Sequence, residues 1–509
     1  MSGFETIRDL LAIGKNDATA IGAPKRTGQN YAVLRELADT TVARLNELGV
    51  GRNDRVAIVL PNSPEMAAAF VTIGCGATTA PLNPAYRREE FDFYLDDLAA
   101  KALVVEEGSE SPALSAAQDR NIPVFTLISD ESKCAGSFRL EGKSAGAVAH
   151  PGMAEADDVA LVLHTSGTTS RPKIVPLTQR NVTASAGHIA ESLKLVAEDR
   201  CMNIMPLFHI HGLIAAVLSS LGAGASVHCA PGFNALRVFS WLDEIEPSWY
   251  TAVPTMHQAI LSRASRNTES VGRARANLRL IRSSSSSLPP QVMKELEDTF
   301  DVPVVEAYGM TEAAHQMACN PLPPATRKPG SVGIAAGPEV AIMDESDSKL
   351  IEIGKVGEIV IRGPNVTPGY ENNPEANASS FTDGWFRTGD QGVMDEEGYI
   401  LITGRLKEII NRGGEKISPR EVDEVLMDHP AVAQAVTFAM PHDKLGEEVA
   451  AAIVLREGEL AEESDVRDFV SRHLADFKVP RRVLVLDEIP KGATGKLQRI
   501  GLAEKLGLG

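Results

Sequence analysis

The sequence predicts an α/β protein: a large N-terminal domain of layered, doubly wound sheets with a small barrel-like sheet, followed by a small α+β C-terminal domain. Three observations predict it. Strand-length apolar runs alternate with segments of helical period as far as about residue 330. Beyond that point the runs become shorter and more polar, with turns between them. Near residue 405 the texture changes again, into a compact strand–helix unit.

At 56–60 the run VAIVL is uninterrupted, and a helical segment at 63–72 follows it; 102–105 and 124–128 repeat the strand pattern. Runs without polar alternation belong to parallel strands covered by helices on both faces. A further apolar run at 159–163 ends in a Ser/Thr-rich loop. From about Gly330, segments such as GEIVIR at Gly357–Arg362 and YILIT at 399–403 predict an antiparallel sheet or small barrel. After Gly404-Arg405-Leu406-Lys407, the stretch Ser418-Pro419-Arg420-Glu421 has the form of a capping box with proline at the first helical position, opening a helix through Met427. Strands at 433–439 and 450–455, a helix at 463–474 and a strand at 483–486 complete the unit. The expected domains are 1–404 and 405–509, the second of a size that folds alone.

A chain of 509 residues is too long for one core. Fifty Lys+Arg against 68 Asp+Glu give a net charge of −18, which argues against a general affinity for nucleic acid or anionic membrane. A nucleotide site needs only a few local donors, so it is not excluded. The five cysteines (Cys75, Cys134, Cys201, Cys229, Cys319) are odd in number and form no CxxC pair, which points away from disulfides and zinc and toward a reducing compartment. The N-terminal segment carries acids early, no stretch approaches the about 20 apolar residues of a membrane span, and Gly507-Leu508-Gly509 is not a peroxisomal address. A cytoplasmic location is expected; composition leaves monomer and homodimer open.

The chemistry concentrates in a few stretches. In LVLHTSGTTSRPKIVPLT, at 161–178, a buried strand runs directly into Thr165, Ser166, Gly167, Thr168, Thr169, Ser170, Arg171, Pro172 and Lys173. Hydroxyls, backbone N–H groups and two cations are what a polyphosphate wants. The Walker pattern GxxxxGK[ST] is absent, so this is not a P-loop kinase. The segment resembles the signature loop of the adenylate-forming superfamily: acyl-CoA synthetases, peptide-synthetase adenylation domains and firefly-type luciferases. Further stretches agree, in the family's order: Pro206-Leu207-Phe208-His209, Tyr308-Gly309-Met310-Thr311-Glu312, Trp385-Phe386-Arg387-Thr388-Gly389-Asp390, Gly404-Arg405-Leu406-Lys407-Glu408, Gly413-Gly414-Glu415-Lys416 and Gly495-Lys496.

The resemblance implies an ATP-dependent ligase that forms an acyl-adenylate and passes the acyl group to coenzyme A, releasing AMP and pyrophosphate. It implies ATP contacts from Thr165, Ser166, Gly167, Thr168, Thr169, Lys173, Ser285, Ser286, Glu306, Ala307, Tyr308, Thr311, Asp390 and Arg405. Tyr308 would stack on adenine, Thr311 would bond the α-phosphate, Glu312 would hold Mg2+, and Asp390 would accept from the ribose hydroxyls. Lys496 would reach the acyl carboxylate during adenylation, where negative charge builds; His209 joins the catalytic set. The C-terminal domain would be mobile, pivoting at Lys407 to exchange Lys496 for the Gly413-Gly414-Glu415 loop that meets the thiol. Two positions depart from the family pattern: Ile174 where glycine commonly follows Pro-Lys, and Gly492 where threonine is usual.

For the acid, PLFHIHGL, IRSSSSSL and TEAAHQM place His211, Ser285 and His315, with Arg282, at the acyl site by family position. Apolar walls would suit a fatty or aromatic acid; converging polar groups suit a short, doubly charged one. This pattern resembles the oxalyl-CoA synthetases of plants and fungi and implies oxalate. Malonate, another short or medium-chain acid, and a standalone adenylation enzyme loading a carrier protein are the alternatives.

Overall fold

The computed structural model describes residues 3–130, 132–165, 172–490 and 498–508. Two large sheets carry the N-terminal part. One has nine strands in the order Ile334–Ala335, His315–Cys319, Val304–Met310, Leu280–Ser283, Trp249–Ala252, Arg200–Asn203, Ser226–Cys229, Thr19–Ala23 and Arg26–Asn30. It is parallel from Val304–Met310 to Thr19–Ala23 and antiparallel at both margins. The second has seven strands in the order Phe138–Gly142, Val124–Ser129, Ala102–Glu106, Arg55–Val59, Thr78–Pro81, Val159–Thr165 and Lys173–Thr178, again parallel inside and antiparallel at the margins.

Between them lies the main core. Helix Pro64–Gly74 is buried at every residue: it is apolar on nearly every face, and its one acid, Glu65, is paired with Arg26 at 2.9 Å. Its start is set by Ser63, whose hydroxyl accepts from the Met66 N–H at 3.0 Å, and by Pro64 at the first turn. The π-helix His211–Leu218, also buried throughout, packs into the same cluster. The side chain of Gln179 clamps this layer: its carbonyl accepts from Ile7 N–H at 2.9 Å and its amide donates to Gly74 C=O at 2.6 Å.

The polar stretch after Gly330 forms a third, wholly antiparallel sheet containing Glu339–Met343, Gly357–Arg362, Phe381–Thr382, Trp385–Met394 and Ile400–Arg405. A fourth sheet joins Glu415–Ile417, Ile410–Arg412, Gly446–Leu455, Val432–His442 and Arg482–Val485, and has apolar clusters of its own on its two sides. The strand expected at 433–439 runs Val432–His442, and the helix expected at 463–474 ends at Ser471. Only half of the expected capping box forms. Ser418 accepts from the Glu421 N–H at 3.4 Å, but the Glu421 carboxylate turns to Lys478 Nζ at 2.6 and 2.7 Å, where an ammonium offers more than a lone amide. The cysteines are all free, and among the described residues no helix is long and apolar enough to cross a membrane.

Gln179→Ala strands a buried N–H and a buried C=O together, and is expected to cost about 2–4 kcal/mol of stability. Chemical denaturation checks this; an unchanged midpoint would mean that the two groups find other partners.

Candidate active site

The parallel strands of the nine-stranded sheet end side by side, and their last residues bring the candidate groups together. Thr251 is in register with Arg282, and Arg282 with Val305. Strand Val304–Met310 then carries Tyr308 onward, and a short 3-10 turn holds Thr311 and Glu312. His315 returns on the antiparallel strand His315–Cys319. This turn is tight: Ala314 has φ +46° and His315 φ +104°, a left-handed conformation that a side chain adopts only under constraint. The constraint is visible. Buried Asn365 donates to Ala313 C=O at 2.8 Å and Gln316 C=O at 3.0 Å. At Gly309 an added Cβ would lie 1.8 Å from the His315 carbonyl oxygen, so only glycine fits. Opposite, His211 opens the π-helix, a rare form concentrated at functional sites; Gly212 lets it pack on the Pro206 carbonyl, which a Cβ would approach to 2.4 Å.

Arg282 sits at the centre of this group, fully buried. Among the described residues no carboxylate pairs with it. Its NH1 lies 3.3 Å from Thr251 Oγ1, 3.3 Å from His315 Nε2 and 3.5 Å from His211 Nε2. Its NH2 donates to Gln316 Oε1 at 3.2 Å, and its Nε has no hydrogen-bond partner among the described residues. Burial pulls its pKa down to about 10, which still leaves it charged at neutral pH. His211 Nδ1 reaches Ser285 Oγ at 3.0 Å, and Ser285, with φ +73°, is the one partly open member. His209 lies alongside, its Nδ1 accepting from the His211 N–H at 3.2 Å.

The second cluster sets carboxylates beside cations. The Tyr308 hydroxyl donates to Asp390 Oδ2, and Arg405 Nε donates to Asp390 Oδ1 at 3.1 Å. Asp390 and Arg405 face each other across neighbouring strands, which fixes the pair. Glu312 is buried and accepts from the Tyr370 hydroxyl at 2.7 Å. Lys173 Nζ lies 4.2 Å from the centre of the Tyr370 ring; burial lowers its pKa, with Glu312 opposing and Lys407 adding to the effect. Thr165 is paired in register with Lys173 at the start of the Ser/Thr loop. Ile174 points into the core. Ser166, Gly167, Thr168, Thr169 and Lys496 lie outside the described residues.

The remaining predicted residues sort by what they touch. The Glu306 carboxylate accepts from Leu288 N–H at 2.9 Å, and Ala307 C=O accepts from the Ser284 hydroxyl at 2.8 Å, so both brace the serine loop. Ser286 is exposed. Lys407 is exposed in the turn that leads out of Ile400–Arg405. Gly413 (φ +61°) and Gly414 (φ +102°) form the two-residue turn of a hairpin between Ile410–Arg412 and Glu415–Ile417, a turn that demands positive φ. Thr251, Tyr370, Gln316 and Asn365 belong to the site and were not predicted; only Tyr370, behind Pro-Gly, carried any local signal.

A family model described as AMP-binding enzyme matches residues 12–371, and one described as AMP-binding enzyme C-terminal domain matches 421–496. The chain is 46% identical over 494 residues to an oxalate–CoA ligase of Arabidopsis thaliana, covering 95% of this chain and 94% of that protein. It is 43% identical over 484 residues to an oxalate–CoA ligase of Saccharomyces cerevisiae, covering 89% and 87%. The crystal structure of ATP-bound MatB from Rhodopseudomonas palustris superposes with a TM-score of 0.87 at 28% identity, over 98% of both chains.

One consequence of this packing is measurable by titration. Burial raises the Glu306 carboxyl from 4.5 to about 7 in the folded chain. The fold therefore holds this proton more tightly than the unfolded chain does, and stability from this group is lost as pH rises through that window, by roughly 3 kcal/mol in all. Glu306→Gln keeps an acceptor for Leu288 without the charge. Its stability relative to the parent protein should rise between pH 5 and 8; a pH-independent difference would mean the carboxyl is ionised throughout.

Proposed function

The chain belongs to the AMP-binding enzyme family and is an acid–thiol ligase that uses ATP, and from that premise we propose that the acid it activates is oxalate. One observation carries the choice of acid: Arg282 is a buried cation with no carboxylate to balance it among the described residues, ringed by His211, His315 and Thr251. A buried charge left alone is costly. A monocarboxylic acid loses its charge when it is activated and offers no counter-charge. Oxalate keeps a second carboxylate after the first has reacted, and that group can be held at Ser285, His211 and His315 while it offsets Arg282 electrostatically. The identity with the two oxalate–CoA ligases supports the same reading.

In this proposal one carboxylate of oxalate attacks the α-phosphorus of ATP and pyrophosphate departs, leaving oxalyl-adenylate. The sulfur of coenzyme A then attacks the acyl carbon, AMP leaves, and the thiol proton passes to water. Tyr308 offers an aromatic plane to adenine, Asp390 and Arg405 meet the ribose, and Thr165, Ser166, Gly167, Thr168, Thr169, Lys173 and Thr311 receive the phosphates. Mg2+ commonly binds one or two carboxylates and completes its shell with substrate phosphates and water. The donor set fits that habit: Glu312 alone supplies a carboxylate, one oxygen of which is engaged by Tyr370, and no cluster of three metal-ligating side chains occurs among the described residues. Bound there, the ion would neutralise phosphate charge. Residues 405–509 form the moving domain, with Lys407 as pivot, Lys496 serving adenylation, and Gly413, Gly414 and Glu415 admitting the slender pantetheine arm.

Two measurements test this. Across oxalate, malonate, acetate, hexanoate and cinnamate, oxalate should give the highest kcat/KM, and His315→Ala should lower it by about 10-fold or more while leaving the KM for ATP nearly unchanged. A higher kcat/KM for hexanoate or cinnamate would overturn the assignment. Lys496→Ala should abolish most oxalate-dependent ATP–pyrophosphate exchange yet still transfer the acyl group from supplied oxalyl-adenylate to coenzyme A; equal losses in both steps would assign the lysine a structural role instead.

A further inference from the structure

The hydrogen-bond geometry around Arg282 bears on which nitrogens of the two histidines carry protons. The rings of His211 and His315 lie 4.9 Å apart, inclined by 32°, and both turn Nε2 toward one guanidinium nitrogen. A guanidinium only donates. NH1 has two hydrogens and three neighbours: Thr251 Oγ1 at 3.3 Å, His315 Nε2 at 3.3 Å and His211 Nε2 at 3.5 Å. The farthest of these, His211 Nε2, has a much closer partner in Thr251 Oγ1 at 2.6 Å. The count closes when the two NH1 hydrogens go to Thr251 and His315 and the Thr251 hydroxyl passes its own hydrogen to His211 Nε2; the reverse, His211 Nε2–H donating to Thr251, also closes it but sets an N–H beside a guanidinium nitrogen that can only donate. Each ring then accepts at Nε2 and carries its proton on Nδ1. His211 Nδ1–H donates to Ser285 Oγ at 3.0 Å, which leaves the serine hydroxyl hydrogen to be directed onward. His315 Nδ1 lies on the Gly309 side of its ring, 2.9 Å from where a Cβ at that glycine would stand, and so beside the strand that carries Tyr308.

We infer that Arg282 and Thr251 are positioning residues that lock His211 and His315 as Nδ1–H tautomers, so that a cation too buried to touch the acid acts on its second carboxylate through the Ser285 hydroxyl and the His315 Nδ1–H. Among the described residues no carboxylate competes for the guanidinium. Besides the two histidines, the titratable groups among the described residues that bear on it are the thiols of Cys201 and Cys319, and burial raises both, that of Cys319 to about 11, so they stay neutral. The opposite tautomer would present lone pairs to a carboxylate and repel it. Gln316 is fixed by the same cation: its carbonyl accepts from NH2, and its amide donates to Ser192 Oγ at 3.0 Å and Ala336 C=O at 3.2 Å. The donors are therefore set before the acid arrives, the arrangement in which electrostatic stabilisation is most effective.

This inference rests on the group being the acid site, and its test keeps the two ideas apart. Long-range 1H–15N spectra of the intact chain labelled at histidine, assigned with His211→Gln and His315→Gln, should show both rings protonated at Nδ1. Thr251→Val removes one relay at constant shape; the His211 pattern alone should change, and oxalate kcat/KM should fall about 10-fold while the KM for ATP stays within about twofold. Thr251→Ser restores the hydroxyl and should restore both the spectrum and the rate. A protonated Nε2 on either ring of the parent protein, or a Thr251→Val spectrum identical to the parent's, would falsify the inference. An enzyme that prefers another acid reveals this in the substrate panel of the parent protein, whereas the spectra report the tautomers whatever the acid is.

Discussion

A guanidinium in the middle of a nine-stranded sheet, with no carboxylate among the described residues to meet it, is the constraint from which the rest of the site follows. Arg282 occupies a strand whose four residues are all buried. Taking such a charge out of water costs several kcal/mol unless hydrogen bonds and a counter-charge compensate it. Among the described residues its hydrogen-bond partners are Thr251 from the next strand, His211 from the π-helix, and His315 and Gln316 from the returning strand. Four elements are drawn to one point, and the backbone bends to allow it. The positive φ at Ala314 and His315, the side-chain-free approach at Gly309 and the clamp from Asn365 all serve to bring His315 to that cation.

The proposed nucleotide side is built on the opposite principle. Its carboxylates, Asp390 and Glu312, are each met by a tyrosine hydroxyl, and the cations near them, Arg405 and Lys173, stand at their edge. Tyr308 therefore joins the two halves. It donates to Asp390 on one side, and its neighbour Gly309 abuts His315 on the other. An acid held against the histidines and a nucleotide held against Asp390 would meet along one strand, Val304–Met310, whose rigidity comes from its place inside the sheet.

Much of this was legible in the sequence and some was not, for physical reasons. Continuous apolar runs such as 56–60 and 102–105 could only be buried parallel strands, and they are. The strands Arg200–Asn203, Ser226–Cys229 and Trp249–Ala252 are four residues each, too short for periodicity to stand out. Ser418 announced a helix start correctly, yet its partner Glu421 answered to Lys478, fifty-seven residues away, a tertiary contact that local pattern cannot see. Ser285, His211, His315 and Arg282 were singled out as a group. Their order of burial, with Arg282 inside and Ser285 outside, depends on strand register and a π-turn that no composition encodes. Thr251 gave no sign at all, because a threonine at a strand end looks like every other.

That the second carboxylate of a short diacid answers the buried Arg282 through Thr251, His211, Ser285 and His315 can be seen in a crystal structure with oxalate and a non-hydrolysable ATP analogue. One carboxylate should lie within hydrogen-bond distance of Ser285 Oγ and His315 Nδ1, with Thr251 still bridging Arg282 and His211 and the other carboxylate directed at the α-phosphate. Oxalate bound away from these residues, or a carboxylate in direct contact with the Arg282 guanidinium after the histidines have swung aside, would contradict it.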